Sequence, residues 1–283
     1  MIIIDDPDDP RVAAFRLNER GLANRLQRRD DGGDGLFMAE GDLVVERALE
    51  AGCVPVMALV DAQRPPAVTA RLAERVEVYA GGDRLRASVT QLGMPYSVVA
   101  LFERPPRASV AHLAATSRRL VLAEAVDNPL NIGSIVRNAL GMGWDGLVID
   151  ATSVDPLARR SMRVSMGHAL HLPYARARDL VATISELVTH GWQVCALTPD
   201  AAATPLNDVL VNDMLVNDML VNDMLGERVA LLVGSERTGL SDGALRAASV
   251  RVRIPMSAGV DSLNVAAATA VACWHLRPRG GST

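Results

Sequence analysis

The chain has 283 residues, 49% of them hydrophobic and 22% charged, a globular balance with length for about two domains, which excludes wholesale disorder, collagen and coiled coil. Its net charge of -4 excludes a protein that coats nucleic acid through a general basic field, although a local basic patch stays open. No apolar run approaches the ~18 residues of a bilayer span. The opening MIIIDDPDDP carries no basic leader, so a cytoplasmic protein without membrane attachment is expected.

From Asp9 onward, PRVAAFRLNERGLANRLQRR is expected to be a helix, GLFMAEG a short strand, DLVVERALEAG a helix ending at Gly52, and VPVMALV a buried strand. RPPAVTARLAERVEVYAGGDRLRASVTQLG repeats helix, strand and helix, and YSVVALF is a last strand, which together define a small α/β domain over residues 1–104. Residues 105–117, which open with Pro105 and Pro106 and contain no apolar strand, read as a linker. A second alternation follows over 118–283: RLVLAEAV as strand, NIGSIVRNALGMG as helix, and DGLVID, WQVCAL, RVALLVG and VRVRIP as β segments. DSLNVAAATAVACWHL closes the chain as a helix. Strands separated by helices imply a mostly parallel sheet covered on both faces, with ligands outside the carboxyl ends of its strands.

Residues 206–225 are four near-identical pentads, LNDVL VNDML VNDML VNDML. Each pentad would turn a helix by about 140°, so no apolar face forms, and an expanded connection that neither forms core nor touches substrate is expected. GMGWDG, Gly141–Gly146, matches the GxGxxG fingerprint but has a helix before it and a strand after it. That order is the reverse of what a dinucleotide site needs, so these glycines are read as a helix cap and turn.

Cys53, Cys195 and Cys273 are odd in number and widely spaced, with no CxxC pair, so buried apolar thiols are expected and no disulfide framework or metal site. His168 and His171 lack a third ligand nearby and are read as surface or packing residues. All 29 basic residues are arginine, and five fall between Pro156 and Arg178 without one acid. Three Phe, three Trp and three Tyr leave little material for a base-stacking platform.

Three polar turns sit where strands run into loops or helices: DNPLNIGSIVRNA at Asp127–Ala139, LLVGSERTGLS at Leu231–Ser241, and IPMSAGVDSLNVAAA at Ile254–Ala268. Each alone is an ordinary cap or turn; together they can form one site. Their order, D-N-P-x-N-x-G-x-x-x-R, then G-S-E-x-x-G-L, then I-P-M followed by S-L-N-V, resembles the SPOUT superfamily, specifically the SpoU/TrmH-type RNA ribose 2′-O-methyltransferases. The resemblance covers residues 119–277 and includes RRSMRVSMGHALHLP, while FMAEGDLVVERALEAG more weakly resembles an L30e-like substrate-binding domain.

The resemblance implies a trefoil-knotted α/β catalytic domain at 118–283 behind an L30e-like α/β domain, a homodimer, and S-adenosylmethionine as cofactor without a metal. It implies catalytic positions at Asn131, Arg137, Glu236, Ser262 and Asn264. Cofactor contacts are implied at Leu232, Gly234, Ser235, Glu236, Ile254, Met256, Ser262 and Leu263. Arg237 departs from the family, where many members have glycine. Since an arginine with a pKa above about 12 is hard to deprotonate, Arg137 is expected to clamp an RNA phosphate and stabilise the developing alkoxide, with the base left open. Asn131 would orient Arg137 or the ribose, Glu236 would fix its loop, and Arg159, Arg160 and Arg163 are candidates for RNA phosphates. Ribosomal RNA is placed ahead of transfer RNA as substrate; a non-catalytic RNA-binding or ribosome-assembly factor on the same fold is the alternative of a different class.

Overall fold

The structure is a computed structural model and describes residues 1–22, 35–211, 224–225, 227–257 and 260–277. The described chain divides into two compact units, residues 1–107 with 156–171, and residues 108–155 with 172–283.

The first unit is built on a five-stranded sheet of β1 (Ile2–Ile3), β2 (Leu36–Glu40), β3 (Pro55–Asp61), β4 (Val78–Gly81) and β5 (Val98–Glu103). The spatial order is β1-β4-β3-β5-β2, with β2 and β3 antiparallel to β5 and the other pairs parallel. Its core includes Phe37 and Phe102, whose rings stack at 5.4 Å. Helices α2 (Asp42–Glu50), α3 (Val68–Ala73) and α4 (Asp83–Thr90) lie where the apolar spacing puts them; α2, for example, buries Val44, Val45, Ala48 and Leu49 on one side.

The long helix expected from Pro10 does not form as one piece. The chain makes a 3-10 helix at Pro10–Arg16, leaves it at the extended Leu17, and restarts as α1 (Glu19–Leu22). Two side chains impose the break: Asp9 accepts from Arg11 N and pins Pro10 as a first turn, and Asn18 Oδ1 accepts from Gly21 N at 3.0 Å as a second cap. The remainder of that expected helix lies outside the described residues.

Residues 156–171, which the sequence places in the second domain, pack with the first unit. Their short helix α7 (Arg159–Val164) sends the guanidinium groups of Arg159 and Arg163 to the two oxygens of Glu40, whose side chain is 0% exposed. Arg159 also donates to Thr90 O at 3.0 Å, and Arg47 donates to Met166 O. A buried carboxylate needs such partners, and this one takes two.

The second unit carries a seven-stranded, wholly parallel sheet: β6 (Arg119–Glu124), β7 (Gly146–Ile149), β8 (Tyr174–Arg176), β9 (Gln193–Leu197), β10 (Thr204–Pro205), β13 (Val229–Gly234) and β14 (Val250–Arg253). Its order is β10-β14-β9-β13-β6-β7-β8, so the chain runs outward from β6 to β8 and then crosses back to the far side. Both faces are buried, as near-continuous apolar strands require. Leu120, Leu122, Ala230 and Leu232 face one core with Leu113, Leu180, Ile184 and Trp192, while the alternate residues Val121, Ala123, Leu231 and Val233 are buried on the other side. Helices α5 (Val110–Thr116), α8 (Leu180–Thr189) and α9 (Asp242–Ala247) contribute to the first of these cores, while α6 (Pro129–Gly141) packs against α10 (Val265–His275). α5 occupies most of the expected linker: Ser109 caps it by accepting from His112 N at 3.1 Å, and Leu113 is buried.

Gly143, at φ +75°, turns the chain after α6, which agrees with the cap-and-turn reading of GMGWDG. The first pentad corrects the expectation for that repeat. Leu206, in a 3-10 helix at Leu206–Asp208, and Val209 are both buried, and Val209 O bonds to His275 Nε2 at 3.0 Å. Leu210–Val211 (β11) and Met224–Leu225 (β12) pair in parallel, and the pentads at 212–223 lie outside the described residues.

Candidate active site

The carboxyl ends of β9, β13 and β14 open onto a cavity of about 560 Å3, walled further by the start of α10, in the second unit. It lies outside the strand ends of a parallel sheet, where that architecture leaves a crevice. Its apolar wall includes Leu197, Leu240, Leu245, Ile254, Met256 and Leu263, and its polar rim includes Ser235, Glu236, Asp261, Ser262 and Asn264.

The loop after β13 is tied to itself. Gly239 N donates to Ser235 O at 2.9 Å, and Ser235 Oγ accepts from Arg237 N and Thr238 N, both at 3.2 Å. Gly234 is compelled by this closure: a Cβ there would fall 2.5 Å from Gly239 C and 2.6 Å from Leu240 N. The space a side chain would fill is taken by backbone, and the loop's amide groups stay beside the cavity.

Asn264 joins all three polar turns. It caps α10, with Oδ1 accepting from Ala266 N at 2.9 Å and Ala267 N at 3.3 Å. Its Nδ2 donates to Asn131 Oδ1 at 3.1 Å and to Glu236 Oε1. Asn131 is buried near the start of α6 and reaches the cavity through Asn264. Ser262 lines the cavity with its hydroxyl unengaged among the described residues.

The turn before α6 is held as firmly. Ala125 sits at φ +52°, a strained conformation for a residue with a Cβ. Val126 N donates to Ser153 Oγ at 2.9 Å, and Asn128 caps α6 by accepting from Leu130 N at 2.9 Å. Burial raises the pKa of Asp150, but hydrogen bonds from Ser153, Thr152 and Ala125 outweigh it and hold the carboxyl below its ordinary value.

Of the expected site residues, the structure therefore brings together Asn131, Glu236 and Asn264, and it sets Gly234, Ser235, Ile254, Met256, Ser262 and Leu263 around the same cavity. Arg137 is elsewhere. Six positions after Asn131 on α6 it points about 120° away, exposed and without a hydrogen bond or ion pair among the described residues. The side chain of Leu232 is wholly buried in the core with residues of α8 and α9 and does not line the cavity, because period two turns it to the opposite face from Val233. Arg159 and Arg163 are corrected as phosphate ligands, since Glu40 holds both; Arg160 alone of the three is exposed.

Sequence reasoning missed the turn Leu197–Pro199 after β9, which also lines the cavity and has no distinctive residue to reveal it. The three cysteines are buried, and burial pushes Cys53 up to about 11 and Cys195 up to about 12, so they are protonated near neutral pH and take no part in the site. Among the described residues, no His, Cys, Asp or Glu group is arranged to hold a metal ion, and no helix is long and apolar enough to cross a membrane.

A parallel sheet with a tied glycine loop and an Asn-Glu-Asn cluster beside a cavity at its strand ends defines an α/β protein with a ligand-binding crevice, and comparison with known proteins specifies it. The SpoU rRNA Methylase family model matches residues 118–274, and the chain belongs to this family. Over 286 aligned residues it is 40% identical to an uncharacterized tRNA/rRNA methyltransferase of Mycobacterium tuberculosis, covering 98% of this chain and 91% of the relative. It is 27% identical to the 23S rRNA (guanosine(2553)-2′-O)-methyltransferase of Bacillus subtilis, over 85% and 88% of the two chains. Among solved structures, the SpoU methyltransferase AviRb of Streptomyces viridochromogenes in complex with AdoMet matches with a TM-score of 0.72 at 25% identity, over 95% of this chain and 97% of that one. An AdoMet-bound rRNA methyltransferase from Sinorhizobium meliloti matches in fold with a TM-score of 0.76 at 24% identity, over 97% and 96%.

Proposed function

We propose that this protein transfers a methyl group from S-adenosylmethionine to a ribose 2′-hydroxyl of RNA, with ribosomal RNA as the substrate, in the cytoplasm. The observation that carries the reading is the convergence of the three turns on Asn264 at the edge of the cavity. Its volume lies in the ~300–1,000 Å3 range of small-molecule and cofactor sites. The apolar wall would suit an adenine and the methylenes beside a sulfonium, and the backbone of the loop closed by Gly234 and Gly239 would offer hydrogen bonds to the adenosine.

When bound, the cofactor supplies a methyl carbon already activated by a positive sulfur, so the protein's task is to aim a weak hydroxyl nucleophile and manage its proton. Ser262 and Asn264 stand at the cavity rim where a ribose would approach. Glu236 accepts from Asn264 and fixes the loop, and Asn131 fixes Asn264 from the other side. Arg137 is solvated and free of an internal counter-ion, which suits a clamp on a phosphate.

The protein also works as a homodimer in this reading. Leu130, on the Arg137 side of α6, is 48% exposed, and Val271 and Trp274, together on one side of α10, are 43% and 58% exposed. Helices that pack together and leave large apolar side chains outward are suited to a second copy. Light scattering is expected to give a dimer, and Trp274→Glu a monomer. Mapping of 2′-O-methylated riboses in total RNA from cells with and without the gene tests the activity; an unchanged map refutes it, and a change confined to transfer RNA replaces the substrate.

A further inference from the structure

We propose that Arg237 is a substrate-positioning residue that grips an RNA backbone phosphate at the mouth of the cavity, and that Asp127 holds its guanidinium in readiness until RNA arrives. This inference rests on the reading of the cavity as a methyl-donor site beside an RNA ribose. Among the described residues that line the cavity, Arg237 is the one cation, set against Glu236 and Asp261. A polyanionic substrate approaching that rim therefore meets the carboxylates of Glu236 and Asp261, and of Asp127 beside them, with Arg237 as the compensating charge.

Arg237 Nη2 donates to Asp127 Oδ2 at 2.7 Å, and the two side chains are 82% and 61% exposed. The pair spans from the loop after β13 to the turn before α6, beside the link that Asn264 makes between Glu236 and Asn131 in the first turn of α6. Both backbones are fixed: Arg237 N is held by Ser235 Oγ, and Val126, beside Asp127, is held by Ser153 Oγ. The guanidinium is thus presented from a rigid frame while its partner remains in water.

Such an exposed ion pair adds little to stability. It is too weak to be needed for the fold, and weak enough to exchange. A phosphate offers the same planar fork two oxygens in a charge-assisted bidentate contact, which is the stronger arrangement. Asp127 then acts as a place-holder that keeps the side chain extended and away from Glu236, its sequence neighbour.

The test uses the full-length protein, with tritium transfer to total RNA from cells lacking the gene, at several salt concentrations, and calorimetric binding of S-adenosylmethionine. Arg237→Ala is expected to raise the KM for RNA about tenfold and to reduce the slope of log KM against log salt by about 0.7–0.9, the signature of one lost phosphate contact. Arg237→Lys restores the slope but only part of the affinity, because a point charge replaces a fork. Asp127→Asn lowers KM by up to about fivefold, since the competing carboxylate is gone. Cofactor affinity stays within about twofold in all three.

An unchanged salt slope in Arg237→Ala overturns the proposal. So does a tenfold loss of cofactor affinity, which would assign the guanidinium to the cofactor's own carboxylate, and so does an Asp127→Asn variant as impaired as Arg237→Ala, which would make the pair a brace. Failure of the underlying reading has a different sign: a wild-type protein that methylates no ribose in total RNA, which overturns both.

Discussion

Asn264→Asp separates two tasks performed by one side chain. The oxygen of Asn264 caps α10 through Ala266 N and Ala267 N, while its nitrogen joins Asn131 to Glu236. Aspartate keeps the acceptor, and its charge at a helix N-terminus is favourable by about 0.3–1 kcal/mol. It has no N–H, however, and so turns an oxygen toward two others. The lost bond to buried Asn131 is worth about 1 kcal/mol, and the lost bond to exposed Glu236, with the screened repulsion between the two carboxylates that replaces it, about 0–1 kcal/mol. The net cost to stability should stay near 1 kcal/mol. Asn264→Ala loses these bonds and also the cap, typically another ~1 kcal/mol, so urea unfolding should rank it clearly below Asn264→Asp. Methyl transfer should fall by roughly 10²-fold in both, the usual scale for losing an oriented polar group at a reacting centre. A near wild-type rate in Asn264→Asp, or equal unfolding of the two variants, would refute the dual role.

Arg137→Ala is expected to abolish methyl transfer in the tritium assay while calorimetric cofactor affinity stays within about tenfold, because the side chain lies away from the cavity; retained turnover would exclude the phosphate clamp. Gly234→Ala should weaken cofactor binding by roughly 100-fold or more, since its methyl would strike Gly239 at 2.5 Å and open the loop, and titration calorimetry reads this directly. Glu40→Ala leaves Arg159 and Arg163 partly buried without their carboxylate, so the first unit should lose about 3–5 kcal/mol in chemical denaturation; a loss under 1 kcal/mol would show that water replaces the anion. Deleting Val211–Leu220 removes two whole pentads but leaves buried Leu206 and Val209 in place. Because each doubling of loop length costs only about 0.6 kcal/mol, dimerisation, cofactor affinity and methylation should remain near wild type, and a stability loss above about 2 kcal/mol would show that the repeats pack.

What the sequence determined by itself was local. Strands such as RLVLAEAV and RVALLVG are short apolar runs bounded by turns, and in the structure they are β6 and β13, paired from Arg119↔Val229 to Glu124↔Gly234. The three polar turns were legible through their order, which resembles the SpoU/TrmH pattern, since each alone reads as an ordinary cap or turn. The tertiary structure decided everything that depends on which way a side chain is turned or on partners far along the chain. Leu232 and Val233 are neighbours in sequence, yet pleating sends the first into the core under α8. Asn131 and Arg137 share a helix, yet its 100° advance per residue buries one against Asn264 and leaves the other in water. Arg159 and Arg163 read as a basic face until Glu40, 119 and 123 residues away, takes both charges. Composition records that a charge exists, but only the folded chain supplies the neighbour that neutralises it.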